Sequence, residues 1–110
     1  MGSDEHERWE DLRQPPPEPL YVEYPDYSPR IRDIGLGGAF IEDPRPLRPG
    51  RLLRLRLTDR KNPPFEIKAM VRRVVSDEGM TVEFVEMSDE TRRRLRSLVG
   101  ADTDSAEKLK

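Results

Sequence analysis

Apolar and polar residues alternate with a period of two over much of the chain between Leu20 and Phe84, which predicts strands rather than helices. Leu20-Tyr21-Val22-Glu23-Tyr24 has a strand's composition, Pro25-Asp26-Tyr27-Ser28-Pro29 supplies a turn, and Arg30-Ile31-Arg32-Asp33-Ile34 reads as an alternating return strand. A glycine turn follows, and Ala39-Phe40-Ile41 begins a third strand. Beyond the loop with Pro44, Pro46, Pro49 and Gly50, Leu53-Arg54-Leu55-Arg56-Leu57 is the cleanest alternation in the chain, with leucines on one face and arginines on the other. Phe65, Ile67, Ala69 and Val71 then alternate against Glu66, Lys68, Met70 and Arg72, until Arg72-Arg73 before Val74-Val75 breaks the phase and predicts a bulge. Asp77-Glu78-Gly79 is a hairpin signal, after which Met80, Val82 and Phe84 share one face.

The last element has helical signals. Ser88 is a cap, Asp89 and Glu90 suit the positive end, and Arg92, Arg93, Arg94 and Arg96 lie toward the other end as a solvated face. Leu95, Leu98 and Val99 form its apolar stripe, and Gly100 can end it. Six short strands with one C-terminal helix predict an all-β fold, a small six-stranded antiparallel β-barrel, since closure removes exposed edges in so short a chain. The expected core contains Val22, Ile34, Phe40, Leu53, Leu55, Leu57, Ile67, Val71, Val82 and Phe84. Residues 1–19 read as a flexible acidic, Pro-rich arm, 20–100 as the barrel and helix, and 101–110 as a disordered tail.

A length of 110 residues fits one domain with one modest core. Without cysteine there is no disulfide, thiolate or Cys-zinc chemistry, and His6 is the only histidine. With no nucleophile–base pair or metal cluster apparent, neither an enzyme nor a cofactor is expected. No apolar run approaches a membrane span or signal peptide, so a cytoplasmic protein without membrane insertion is expected. The net charge of -2 conceals segregation: Met1 to Ser28 holds eight acids and two bases, and Pro29 to Arg73 holds twelve bases and five acids. The second block predicts either a solvated surface or a basic face for an anionic ligand.

The stretch Asp33-Ile34-Gly35-Leu36-Gly37-Gly38-Ala39-Phe40-Ile41 places three glycines within four positions at a strand-to-strand turn. Nothing helical follows it, so it is not a dinucleotide fingerprint. Together with Pro49-Gly50 before a Leu/Arg strand, Val71-Arg72-Arg73-Val74 and Gly79-Met80-Thr81-Val82-Glu83-Phe84, it resembles the PilZ domain, the bacterial receptor module for cyclic di-GMP. The resemblance runs from about Arg8 to Val99 and implies a six-stranded barrel with a C-terminal helix.

The resemblance also implies a two-part ligand site. One part is an Arg-x-x-x-Arg motif on the arm, for phosphates and guanine edges; the other is Asp/Asn-x-Ser-x-x-Gly in the turn, for guanine. Asp33 and Gly38 match the second part, but Gly35 stands where serine is expected. Arg8 and Arg13 are five apart rather than four, and Trp9 occupies the place of an arginine. A lost hydroxyl contact costs about 1 kcal/mol and a lost arginine contact about 2 kcal/mol. Together they amount to about two decades of affinity, part of which Trp9 can recover by stacking on guanine. The expectation is a stand-alone signalling module with cyclic di-GMP binding weakened or lost, acting through contacts with a protein partner. One alternative is a competent receptor using Arg8, Trp9, Arg13 and Asp33; a second is a small barrel for single-stranded nucleic acid, disfavoured because Tyr21, Tyr24 and Tyr27 do not interleave with the arginines.

Overall fold

The computed structural model describes residues 13–99. Within them lie β1 (Tyr21–Val22), β2 (Ile31–Ile34), β3 (Gly38–Ile41), β4 (Leu52–Thr58), β5 (Phe65–Val75), β6 (Gly79–Glu86) and α1 (Asp89–Val99). All neighbouring strands pair antiparallel in the order β1-β4-β5-β6-β3-β2. The two outer strands then meet: Val22 N–H donates to the Pro29 carbonyl at 2.9 Å, and Ile31 N–H donates to the Leu20 carbonyl at 2.8 Å. A bridge between Tyr21 and Arg30 completes the join, giving a nearly closed six-stranded barrel.

The strand predicted over Leu20–Tyr24 is shorter than its composition suggests. Tyr24 N–H already donates to the Tyr27 carbonyl at 3.1 Å, so the turn begins inside the apolar run. β2 also departs from simple alternation. Ile31 and Ile34 are both fully buried although three positions apart, and the register shifts between Ile31 and Asp33. A bulge at Arg32 therefore turns both Arg32 and Asp33 outward and brings Ile34 back to the core. The predicted bulge in β5 is present, with the register shifting between Val71 and Arg73.

Val22, Ile34, Leu55, Leu57, Ile67, Val71, Val82 and Phe84 lie in the core as their strand phase predicts. Leu53 shares that face near the end of β4 but is only partly buried. Phe40 is buried yet stands outside the core cluster, because Ala39 and Ile41 on either side of it point inward. Three consecutive apolar residues left the phase of β3 ambiguous. Leu20, Ile31, Phe65, Met80 and Leu95 complete the interior. Helix α1 is capped as predicted, Ser88 Oγ accepting from Thr91 N–H at 3.0 Å, and it buries Thr91 and Leu95. Of its arginines, Arg92, Arg93 and Arg96 are exposed, whereas Arg94 is half-buried with its guanidinium 4.7 Å from the Phe65 ring centre.

Gly79 closes the β5–β6 hairpin. Its φ is +148° and a Cβ there would sit 2.0 Å from the Ile41 carbonyl oxygen, so only glycine lets β3 and the hairpin approach this closely. No helix among the described residues is long and apolar enough to cross a membrane.

Candidate functional site

The glycine turn joins β2 to β3 with Asp33 at its mouth. Gly35 N–H donates to the Gly38 carbonyl at 2.9 Å and closes the turn, leaving Leu36 exposed at its tip. Gly38 then enters β3 opposite Glu83. Positive φ among the described residues is confined to Arg60, Asp77, Gly50 and Gly79, so Gly35 does not hold a backbone conformation reserved for glycine.

The arm reaches this turn. Gln14 and Ile34 exchange backbone hydrogen bonds of 3.1 and 2.9 Å, adding a short extra rung to the edge of β2. That rung places Arg13 beside Asp33, with Nε 3.3 Å from Oδ1, and leaves their side chains 12% and 24% exposed. The Asp33 Oδ1 atom is buried and accepts no hydrogen bond of good geometry, so the contact is an ion pair in partly dry surroundings. Arg13, Asp33, Gly35 and Gly38 are thus gathered at one end of the barrel. Arg8 and Trp9 lie outside the described residues.

A guanidinium and a carboxylate side by side offer complementary chemistry. The fork suits phosphate oxygens or the acceptor edge of guanine, and the carboxylate accepts from guanine's N–H donors.

Several cations of the basic block from Pro29 to Arg73 are paired with acids, while Arg48, Arg51 and Arg54 are exposed. Arg32 pairs with Glu42 and Glu78 at 3.1 and 3.2 Å, Arg56 with Glu23 at 2.7 Å, Lys68 with Glu86 at 3.4 Å, and Arg72 with Glu83. Three of these acids, Glu78, Glu83 and Glu86, come from β6 and the hairpin before it, which lie beside the basic strand in the barrel but not in sequence. The folded barrel also brings together tyrosines and arginines that the sequence keeps apart. The Arg60 guanidinium lies 3.8 Å from the Tyr21 ring centre and that of Arg45 4.2 Å from Tyr27.

A second polar cluster, not singled out in the sequence, lies at the opposite end of β2 and β3. Asp43 is 2% exposed and its Oδ1 accepts from Tyr27 Oη at 2.7 Å and from Arg45 N–H at 2.9 Å. Burial, with the Asp43 carboxylate close by, raises the Tyr24 hydroxyl pKa well above its ordinary value. The Tyr27–Asp43 bond ties the β1–β2 loop to the β3–β4 loop, and the Arg45 bond closes the latter on Asp43. An Asp directly before Pro44, two residues after a strand, is the available sequence signal for it.

The PilZ domain family model matches residues 5–101, and the chain belongs to the PilZ family. None of the curated protein sequences matches it significantly. Among solved structures, Escherichia coli YcgR in complex with c-di-GMP superposes with a TM-score of 0.60 at 19% identity. The match covers 89% of this chain and 49% of the YcgR chain, so this chain spans about half of that protein's length. At that identity the likeness shows the shared fold.

Proposed function

We propose that this PilZ domain is a non-enzymatic cyclic di-GMP receptor module of attenuated affinity, which relays ligand binding through contacts with a protein partner. The observation that carries the reading is the Arg13–Asp33 pair at the mouth of the glycine turn. One member comes from the arm and one from β2, at two positions that PilZ motifs use for the ligand. YcgR, which shares the fold, is described in complex with c-di-GMP.

Attenuation follows from Gly35, which offers no hydroxyl to the ligand, and from Trp9 standing where the motif has an arginine. The Arg13–Asp33 contact adds a further cost, because each group must exchange part of its ion pair for ligand. Calorimetric titration of the full chain with cyclic di-GMP tests the proposal. Saturable binding is expected, and Asp33→Ala and Arg13→Ala are each expected to weaken it at least ~10-fold, about 1.4 kcal/mol. Absence of binding by the native chain would overturn it, as would binding insensitive to both substitutions.

A further inference from the structure

Alternation sends the side chains of β4, β5 and β6 to two faces, and the outer face is not polar throughout. Among the described residues, the exposed large hydrophobics are Leu36, Leu52, Val74 and Val85. Register brings three of them together. Leu52 pairs with Met70, and the core residues Leu55, Ala69 and Val71 fix the outward phase of both. Met70 pairs in turn with Glu83. Two positions beyond Glu83, Val85 is the extra residue of the register shift at Lys68/Ala69, which places it outward and diagonal to Met70. Continuing the β3–β6 register past Gly38–Glu83 sets Gly37 beside Phe84, whose N–H donates to the Gly37 carbonyl at 2.8 Å, and Leu36 beside Val85. Leu36 and Val85 are each 43% exposed and Leu52 is 52% exposed, with Met70 partly buried between them. One apolar band, Leu36–Val85–Met70–Leu52, thus runs from the glycine turn across β6 and β5 to β4.

The borders of the band are charged, but not alike. Beside Met70 the charges are already satisfied, Lys68 by Glu86 and Arg72 by Glu83. At the Leu52 end, Arg48, Arg51 and Arg54 are exposed and have no acidic partner among the described residues. We propose that the band is the docking surface for a protein partner, which supplies an extended segment with apolar side chains at alternate positions and Asp or Glu where it passes Leu52. The proposal rests on the reading of this domain as a module that acts through a protein partner, and gives that partner a chemistry. Spacing favours an extended occupant. Neighbours along the band are about 5 Å apart when directly opposite and about 7–8 Å when diagonal, near the ~7 Å between same-face side chains of a strand. Charge favours an acidic one, because three arginines that face only solvent can each take a carboxylate without giving up another. An apolar band with a polar rim is also the usual form of a protein contact surface.

The test is fluorescence anisotropy of two labelled peptides titrated with the full chain. Both alternate Leu with Ser; one ends in a run of Glu and the other in a run of Lys. Saturable binding of the acidic peptide is expected, at least ~5-fold tighter than that of the basic one, with the difference shrinking at high salt. Leu52→Ser and Val85→Ser are each expected to weaken it at least ~5-fold. Val74→Ser, at an exposed apolar residue off the band, should stay within about twofold. If Val85→Ser melts at a lower temperature than the native chain, Leu52→Ser carries the test. Equal binding of the two peptides, or no loss in Leu52→Ser, overturns the inference. So does a dimer in sedimentation that Val85→Ser abolishes, which would assign the band to a second copy of the chain. A gain of ~10-fold in peptide affinity on Trp9→Ala also overturns it, assigning the band to the chain's own first residues. Calorimetric titration of cyclic di-GMP into the same proteins reports on the receptor reading separately. Cyclic di-GMP bound with no peptide bound overturns this inference alone; peptide bound with no cyclic di-GMP bound overturns the receptor reading alone.

Discussion

The Arg13–Asp33 ion pair holds the arm against the barrel, and its strength can be worked from its surroundings. Two unit charges about 4 Å apart attract by about 4 kcal/mol at an effective dielectric of ~20. Desolvation of both groups offsets most of that. The side chains are 12% and 24% exposed, which places the pair between a surface salt bridge, at about 0.2–1 kcal/mol, and a fully buried one. The contact of 3.3 Å, without a well-formed hydrogen bond to Oδ1, keeps it at the weak end of charge-assisted contacts. A net coupling of about 1 kcal/mol follows. The assay is a double-mutant cycle of Arg13→Gln and Asp33→Asn, with urea unfolding of all four proteins at neutral pH. In the single variants, the Gln14 and Ile34 amides should also exchange faster, because their rung would lose its anchor. A coupling below ~0.3 kcal/mol would refute the reasoning and show that the arm is held by something other than this pair.

Gly79→Ala should cost at least ~3 kcal/mol, because φ is +148° and the Ile41 carbonyl, a backbone atom 2.0 Å from the new Cβ, cannot swing aside. At 4–8 °C per kcal/mol for a small domain, its melting temperature should fall by more than ~10 °C. Gly50→Ala has φ +91° but nothing within 4 Å, so its cost should be only the backbone strain of about 1–2 kcal/mol; equal effects at the two sites would contradict this. Asp59 accepts from the Lys61 and Asn62 backbone N–H groups and from Asn62 Nδ2, and these bonds lower its pKa from 3.8 to about 2. A depressed carboxyl contributes its full stability above its unfolded pKa and loses it as pH falls through the folded one. The native chain should thus lose this contribution between about pH 4 and pH 2, and Asp59→Asn should flatten that part of the stability profile; identical profiles would refute it. Leu55→Ala removes a fully buried side chain and should cost ~2–5 kcal/mol in chemical denaturation, a near-zero change meaning that the core face is misassigned.

Much of the barrel is legible in the sequence because period-two burial leaves a direct trace. Leu55 and Leu57 face the core, and the broken phase at Arg72-Arg73 marks a real bulge. The bulge at Arg32 is not legible in the same way: the structure shows Ile31 and Ile34 both inward, which a regular strand does not allow. Polar Arg32 and Asp33 between them hide it. Phe40 is harder to place, because neighbours of equal hydrophobicity carry no phase. At the site, the pattern marks Asp33 and the glycine turn, but the approach of Arg13 depends on the backbone rung between Gln14 and Ile34. No local signal announces a rung between residues twenty positions apart. The partners of Arg32, Lys68 and Arg72 are hidden for the same reason: Glu78, Glu86 and Glu83 reach them only through the strand order of the folded sheet.

Titration of cyclic di-GMP into the native chain and Gly35→Ser side by side tests the proposed site of attenuated affinity. Gly35 lacks positive φ, so serine there meets no left-handed backbone strain. The restored hydroxyl is worth about 1 kcal/mol, or roughly a fivefold gain. Saturable binding by the native chain is expected, with ~5-fold tighter binding by Gly35→Ser and unchanged circular-dichroism melts. Silence from both proteins, or equal affinity in a variant that melts like the native chain, would contradict it.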